Sequence, residues 1–221
     1  MNRITALILA AGLALPAVAQ DPKAEEGFAP IFNGKDLSGW VYGRKAGGEN
    51  KAGAGFAVEN GALFCTEKDG GYLFTEKEYA DVVLRFDVRL AANANLGIAL
   101  RAPLEGDPAY VGLEVKVLDD SGSEYRRLRP EQYHGSIYDV FAARRAPLKP
   151  AGEWNSEEVT VKARRVTVAV NGEILLDASL DDVKDDAIRR KHPGLKNARG
   201  RLGLLAHAGR VELRNLRVKE L

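Results

Sequence analysis

The chain has 221 residues, 45% of them aliphatic or aromatic and 29% charged, with 32 basic against 31 acidic side chains. That is enough chain for one large β domain or two small ones, and the near-zero net charge leaves no field to draw it to nucleic acid or an anionic lipid surface. Cys65 is the single cysteine, so an intramolecular disulfide is excluded.

In chain order, residues 1–19 read as an export leader. Arg3 is the basic start, residues 4–15 are apolar, Pro16 breaks the run, and Ala17-Val18-Ala19 is a small-x-small cleavage pattern. The run is too short to span a bilayer comfortably, and no cysteine follows it, so no membrane anchor is expected and the mature chain is expected to be secreted or periplasmic. Residues 20–26 are charged and aperiodic and read as a flexible tail. Ala62-Leu63-Phe64-Cys65 is an apolar run that makes Cys65 core filler.

Strands follow. Residues 81–90 alternate, with Val82, Leu84, Phe86, Val88 and Leu90 on one face and Arg85, Asp87 and Arg89 on a solvated one. Residues 96–101 place Ile98 and Leu100 opposite Ala99 and Arg101. Residues 110–118 place Val111, Leu113, Val115 and Val117 opposite Gly112, Glu114 and Lys116. Residues 158–163 and 165–170 alternate through valines, and Asn171-Gly172 then signals a tight hairpin, because both turn residues need positive φ. Residues 180–190 allow one or two helical turns. Residues 201–206 and 211–218 complete the set, and a parity shift between Leu213 and Leu216 signals a bulge.

About ten short strands without crossover helices predict an all-β fold, an antiparallel β-sandwich, as a single domain over residues 27–221. No P-loop, dinucleotide fingerprint, HExxH, GxSxG or zinc-spaced Cys/His cluster is present, which removes most nucleotide-dependent and protease functions.

From residue 27 the chain reads Gly-Phe-Ala-Pro-Ile-Phe-Asn-Gly-Lys-Asp-Leu-Ser-Gly-Trp. Further blocks come in order: Gly55-Phe56-Ala57-Val58-Glu59-Asn60-Gly61, Asn95-Leu96-Gly97-Ile98-Ala99-Leu100-Arg101, Gly112-Leu113-Glu114-Val115-Lys116, Gly135-Ser136-Ile137-Tyr138 and Val211-Glu212-Leu213-Arg214-Asn215-Leu216. In this order of blocks the chain resembles the 3-keto-disaccharide hydrolase family, over roughly residues 27 to 221. It departs from the family's usual residues at Leu96, at Lys116 and just before His207. The resemblance implies a concanavalin A-like jelly roll of the lectin/glucanase type, a sugar or glycoside as partner, and cleavage of glycosides already oxidised to a ketone at C3.

Such a ketone acidifies the hydrogen at C2. A base removes it, the enediolate expels the group at C1, and water adds back. Glu114 and Lys116, two apart on one strand face, are the best-placed charges. Glu114 or His207 is expected as the base, with Arg101 and Lys116 stabilising the anion. Asp119, His134 and Tyr138 are candidates for substrate binding. No cofactor is expected, although Asp119 and Asp120 leave a loop-bound divalent cation open. His192 reads as a loop residue, and Trp40 and Trp154 as core. The alternative is a non-catalytic carbohydrate-binding module of the cell envelope. The sequence does not set the oligomeric state.

Overall fold

The computed structural model describes residues 25–44, 55–65, 70–125, 127–145 and 147–221; the leader-like residues 1–19 and the tail up to residue 24 lie outside the described residues. The strands, in chain order, are β1 (Ala29–Pro30), β2 (Trp40–Tyr42), β3 (Phe56–Glu59), β4 (Ala62–Cys65), β5 (Gly71–Tyr79), β6 (Val82–Leu90), β7 (Asn95–Ala102), β8 (Leu113–Leu118), β9 (Trp154–Lys162), β10 (Arg165–Val170), β11 (Glu173–Ser179), β12 (Gly200–Ala208) and β13 (Val211–Glu220). Two short helices join them, α1 (Pro108–Val111) and α2 (Asp186–Lys191). Among the described residues no helix is long and apolar enough to cross a membrane.

The strands form two antiparallel sheets. The larger runs β11-β10-β9-β6-β13-β4-β3 with β1 on β13, and the smaller runs β2-β5-β12-β7-β8. Leu84, Phe86, Val88, Val159, Val161, Val166 and Val168 of the larger sheet meet Leu73, Leu96, Ile98, Val115, Val117 and Leu204 of the smaller in one buried core. This is the all-β antiparallel sandwich that the alternation predicts, because side chains two apart on a strand share a face.

Local signals translate directly. Asn171 (φ 51°) and Gly172 (φ 86°) make the hairpin between β10 and β11. The β13 register shifts between Arg214 and Arg217, with Asn215 at φ 55°, where the parity changes. Arg85, Asp87 and Arg89 lie on the outer face of the larger sheet, paired with Glu158, Arg214 and Glu212. Cys65 and Trp40 are buried, and the Trp40 indole N–H donates to Ile31 O at 2.8 Å.

Three placements differ from expectation. Residues 110–111, expected to open a strand, instead end the helix α1, and the strand starts at Leu113. The Asp107 side chain accepts from Ala109 N at 3.0 Å and Pro108 takes the first helical position, so the turn begins as caps dictate. Trp154 is half-buried on the outer face, not in the core, under the guanidinium groups of Arg89 (4.8 Å) and Arg214 (4.1 Å). Strand parity explains it, because its neighbour Asn155 takes the inward position together with Glu157 and Val159. Glu25, assigned from the sequence to a flexible tail, is held by Arg85 and Arg217.

Candidate functional site

On the outer face of the smaller sheet, β8 carries Glu114 and Lys116. Both are buried, at 2% and 5% exposure, although they point away from the core. The chain after β8 folds back and covers them. Tyr138 N donates to Glu114 O at 2.9 Å, Lys116 N to Ser136 O at 2.9 Å, and Gly135 N to Lys116 O at 2.8 Å, so residues 135–138 run along the free edge of β8. This return brings Tyr138 and Gln132 over the charged face, and α1 brings Tyr110.

The opposite wall comes from β12. Its register against β7 steps from Ala206↔Leu96 to Ala208↔Asn95, which leaves His207 unpaired in a bulge. A bulge re-aims its extra side chain. His207 Nε2 lies 2.9 Å from Glu114 Oε1, across the intervening strand. The same oxygen accepts from Lys116 Nζ at 2.9 Å, and Lys116 also donates to Asn95 Oδ1 at 2.9 Å. The Lys116 ammonium stands 5.6 Å from the Tyr138 ring centroid. These groups line a cavity of about 260 Å³ together with Tyr110, Tyr125 and Asp107.

Burial alone would raise the Glu114 carboxyl. The Lys116 charge and the His207 hydrogen bond outweigh burial and hold its pKa at about 2. A carboxylate so held only accepts, so the shared hydrogen is assigned to His207 Nε2. The lone pair of the neutral ring is then at Nδ1, which no hydrogen bond reaches among the described residues. His207 is partly open to solvent, with its side chain 35% exposed. Burial pushes the Tyr110 phenol up, so it remains a hydrogen-bond donor at neutral pH.

The structure therefore brings together Glu114, Lys116, His207 and Tyr138. The other three candidates stand apart. Arg101 sits in a second bulge, where β7 carries an extra residue against β12, with φ 50°. That turn breaks the alternation that places it with Ala99. Its guanidinium, 3% exposed as a residue, donates to Ala80 O, Ala163 O, Asn197 O and the Asp81 carboxylate, and so ties loops together away from the cavity. Asp119 caps a turn, accepting from Asn93 N at 2.9 Å and Ser121 Oγ at 2.6 Å. Asp120 pairs with Arg145 at 3.2 Å. Among the described residues no group of three or more His, Cys, Asp or Glu side chains is placed to hold a metal ion.

His134 is fully buried. Its Nδ1 lies 3.0 Å from Leu118 O, and its Nε2 lies 3.0 Å from Glu157 Oε1, at ion-pair distance but without hydrogen-bond alignment. Burial opposes charge on the ring, but Glu157 prevails and raises its pKa. His134 thus pins the wall of the site to the opposite sheet. His192 is also structural, with Nδ1 3.0 Å from Ala109 O and its ring 5.1 Å from that of Tyr110. Tyr110, Tyr125, Asn95, Asp107 and Gln132 escape the sequence reading. The Asp107-Pro108 pair, a cap followed by a helix-opening proline, is the signal that takes Tyr110 out of the strand.

The 3-keto-alpha-glucoside-1,2-lyase-like domain family has a sequence model that matches residues 27–219. A 3-keto-disaccharide hydrolase of Bacteroides thetaiotaomicron is 25% identical, over 91% of this chain and 81% of that protein. A candidate glycosyl hydrolase of Parabacteroides distasonis superposes with a TM-score of 0.73 at 27% identity, covering 89% of this chain and 94% of that one. A Bacillus subtilis protein with a galectin-like fold superposes at 0.52 and 14% identity, over 83% and 90% of the two chains, which speaks to the jelly-roll fold alone.

Proposed function

The chain belongs to the 3-keto-alpha-glucoside-1,2-lyase-like domain family, and on that premise we propose that it cleaves glycosides carrying a ketone at C3, with His207 as the base. Family and relatives indicate a glycosyl hydrolase-like function. The observation that carries the finer reading is the Glu114–His207 contact at 2.9 Å beside a buried ammonium. A base works best with a pKa near the operating pH, and a carboxyl held at about 2 is too weak. Glu114 is better suited to fixing the His207 ring and balancing its charge, as a carboxylate behind a histidine does.

In this reading His207 Nδ1 takes the C2 proton, and the C–H electrons form the enediolate. Lys116 faces the resulting negative charge. The enediolate collapses to a C1–C2 double bond as the C1–O bond breaks, and the departing oxygen takes a proton. The Tyr110 and Tyr138 hydroxyls line the same cavity as donors. Water then adds its hydroxyl to C1 and its proton to C2, which completes hydrolysis; release before that step makes the enzyme a lyase. The leader-like residues 1–19 support an exported, secreted or periplasmic protein.

Purified protein incubated with a 3-keto disaccharide in deuterated water tests this. The expected products are 3-keto-glucose with deuterium at C2 and the free second sugar, seen by mass spectrometry. Full turnover by His207→Gln would overturn the assignment of the base. Sugar-dependent thermal stabilisation with no product would favour the carbohydrate-binding module.

A further inference from the structure

Neighbouring strands are about 4.8 Å apart, so β8 and β12, with β7 between them, are separated by about 10 Å. The Glu114 and His207 side chains bridge that gap only by lying flat over β7. Side chains normally stand up from a sheet, and any at the crossing point would block the contact.

At the crossing point is Gly97. It pairs with Leu205 of β12 on one side and Lys116 of β8 on the other, while Ala99 pairs with Glu114. A Cβ built on Gly97 would lie 2.3 Å from Glu114 Oε1, 2.6 Å from Cγ and 2.7 Å from Cδ. The carboxylate therefore occupies the space where a side chain would be. The Gly97 backbone lies outside the left-handed region, so its conformation does not require glycine. A glycine in mid-strand weakens the strand and marks a close approach. Here what approaches is the Glu114 carboxylate.

We propose that Gly97 is a positioning residue: the side chain it lacks opens the passage through which the Glu114 carboxylate crosses β7 to hold His207. The proposal deepens the reading of Glu114 and His207 as the working pair of the site and rests on it for its kinetic consequence. Its geometric consequence stands independently. In Gly97→Ala the added methyl pushes Glu114 aside, and the Nε2–H of His207 is released. The bulge at His207 and the gap at Gly97 then act as one device, the first setting the ring over the outer face of the sheet and the second letting its partner reach it.

The test is a cycle of Gly97→Ala, Glu114→Gln and the double variant in the full chain. The readouts are the ¹⁵N shifts of the neutral His207 ring, thermal unfolding, and kcat and KM on a 3-keto disaccharide. We expect Gly97→Ala to fold, to lose the Nε2–H tautomer signature, and to lower kcat by about a hundredfold with KM within about threefold. The double variant should be no worse than the worse single one, since Gly97 acts only through Glu114. A wild-type tautomer signature and kcat in Gly97→Ala would overturn the proposal, as would multiplying effects in the double variant. Should Gly97→Ala unfold, the comparison moves to a Glu114→Ala background, where the space is empty. There the added methyl should leave the thermal midpoint unchanged, and a persistent loss overturns the proposal. If wild type forms no product yet Gly97→Ala relaxes the tautomer, the reaction reading fails and the positioning role stands.

Discussion

Glu114→Gln separates what the buried carboxylate does for the fold from what it does for the site. The wild-type carboxyl is held at about 2 against an ordinary 4.5. At about 1.4 kcal/mol per pKa unit, that difference amounts to a stabilisation on the order of 3 kcal/mol at neutral pH. Breaking a buried ion pair by removing one partner costs about 3–5 kcal/mol, which agrees. For a protein of this size the loss lowers the thermal midpoint by about 6–12 °C. The sign with pH is fixed. A depressed carboxyl contributes fully above its unfolded value of 4.5, and the contribution is lost as pH falls toward about 2. Glutamine does not titrate, so the gap between wild type and variant should be widest at neutral pH and close on acidification below 4.5. Calorimetry or chemical denaturation at several pH values at which both proteins remain folded measures it. A gap that stays constant with pH, or no gap at all, would refute the assignment of a buried, ionised Glu114.

Three other outcomes follow from the same contacts. His207→Gln should lower turnover by about 10²–10⁴-fold, yet move the thermal midpoint little, because the ring is partly solvated and touches Glu114 through one nitrogen. The His134–Glu157 pair should fade in the opposite direction from Glu114. Its ring is held above an ordinary 6.5, so its contribution is full below 6.5 and lost as pH rises through the raised value; the stability difference between wild type and His134→Gln should shrink across that range, and a difference that grows would contradict the pair. Cys65 is fully buried and its thiol is pushed up to about 11 by burial, so it should resist alkylation at pH 8 in the folded protein and react once denatured.

The two sheets were legible because alternation is a direct record of which face meets the core: Val82 to Leu90 reads the same in sequence and in space. Glu114 and Lys116 were legible for the same reason, as charges at mid-strand opposite an apolar face. Where the chain leaves period 2, the record fails. Arg101 falls in a bulge with positive φ, and its side chain turns to the loops at Ala80, Ala163 and Asn197 instead of the site. His207 falls in another, and the sequence does not reveal that its partner sits two strands away. His134 meets Glu157 between segments far apart in the chain, a contact no local pattern encodes. Trp154 was misplaced for a different reason: its size suggests a core position, but parity puts it outside, where two arginines cover it.

The return of residues 135–138 along β8 has a consequence beyond the site. An exposed edge strand offers unpaired N–H and C=O groups to any other chain, and β8 ends its sheet. The same backbone hydrogen bonds that hang Tyr138 over Glu114 also occupy that edge. The wall of the cavity is thus the guard of the sheet. Changes that loosen it, such as loss of the His134 anchor, should cost the protein its solubility along with its activity, as freed β8 edges pair between molecules.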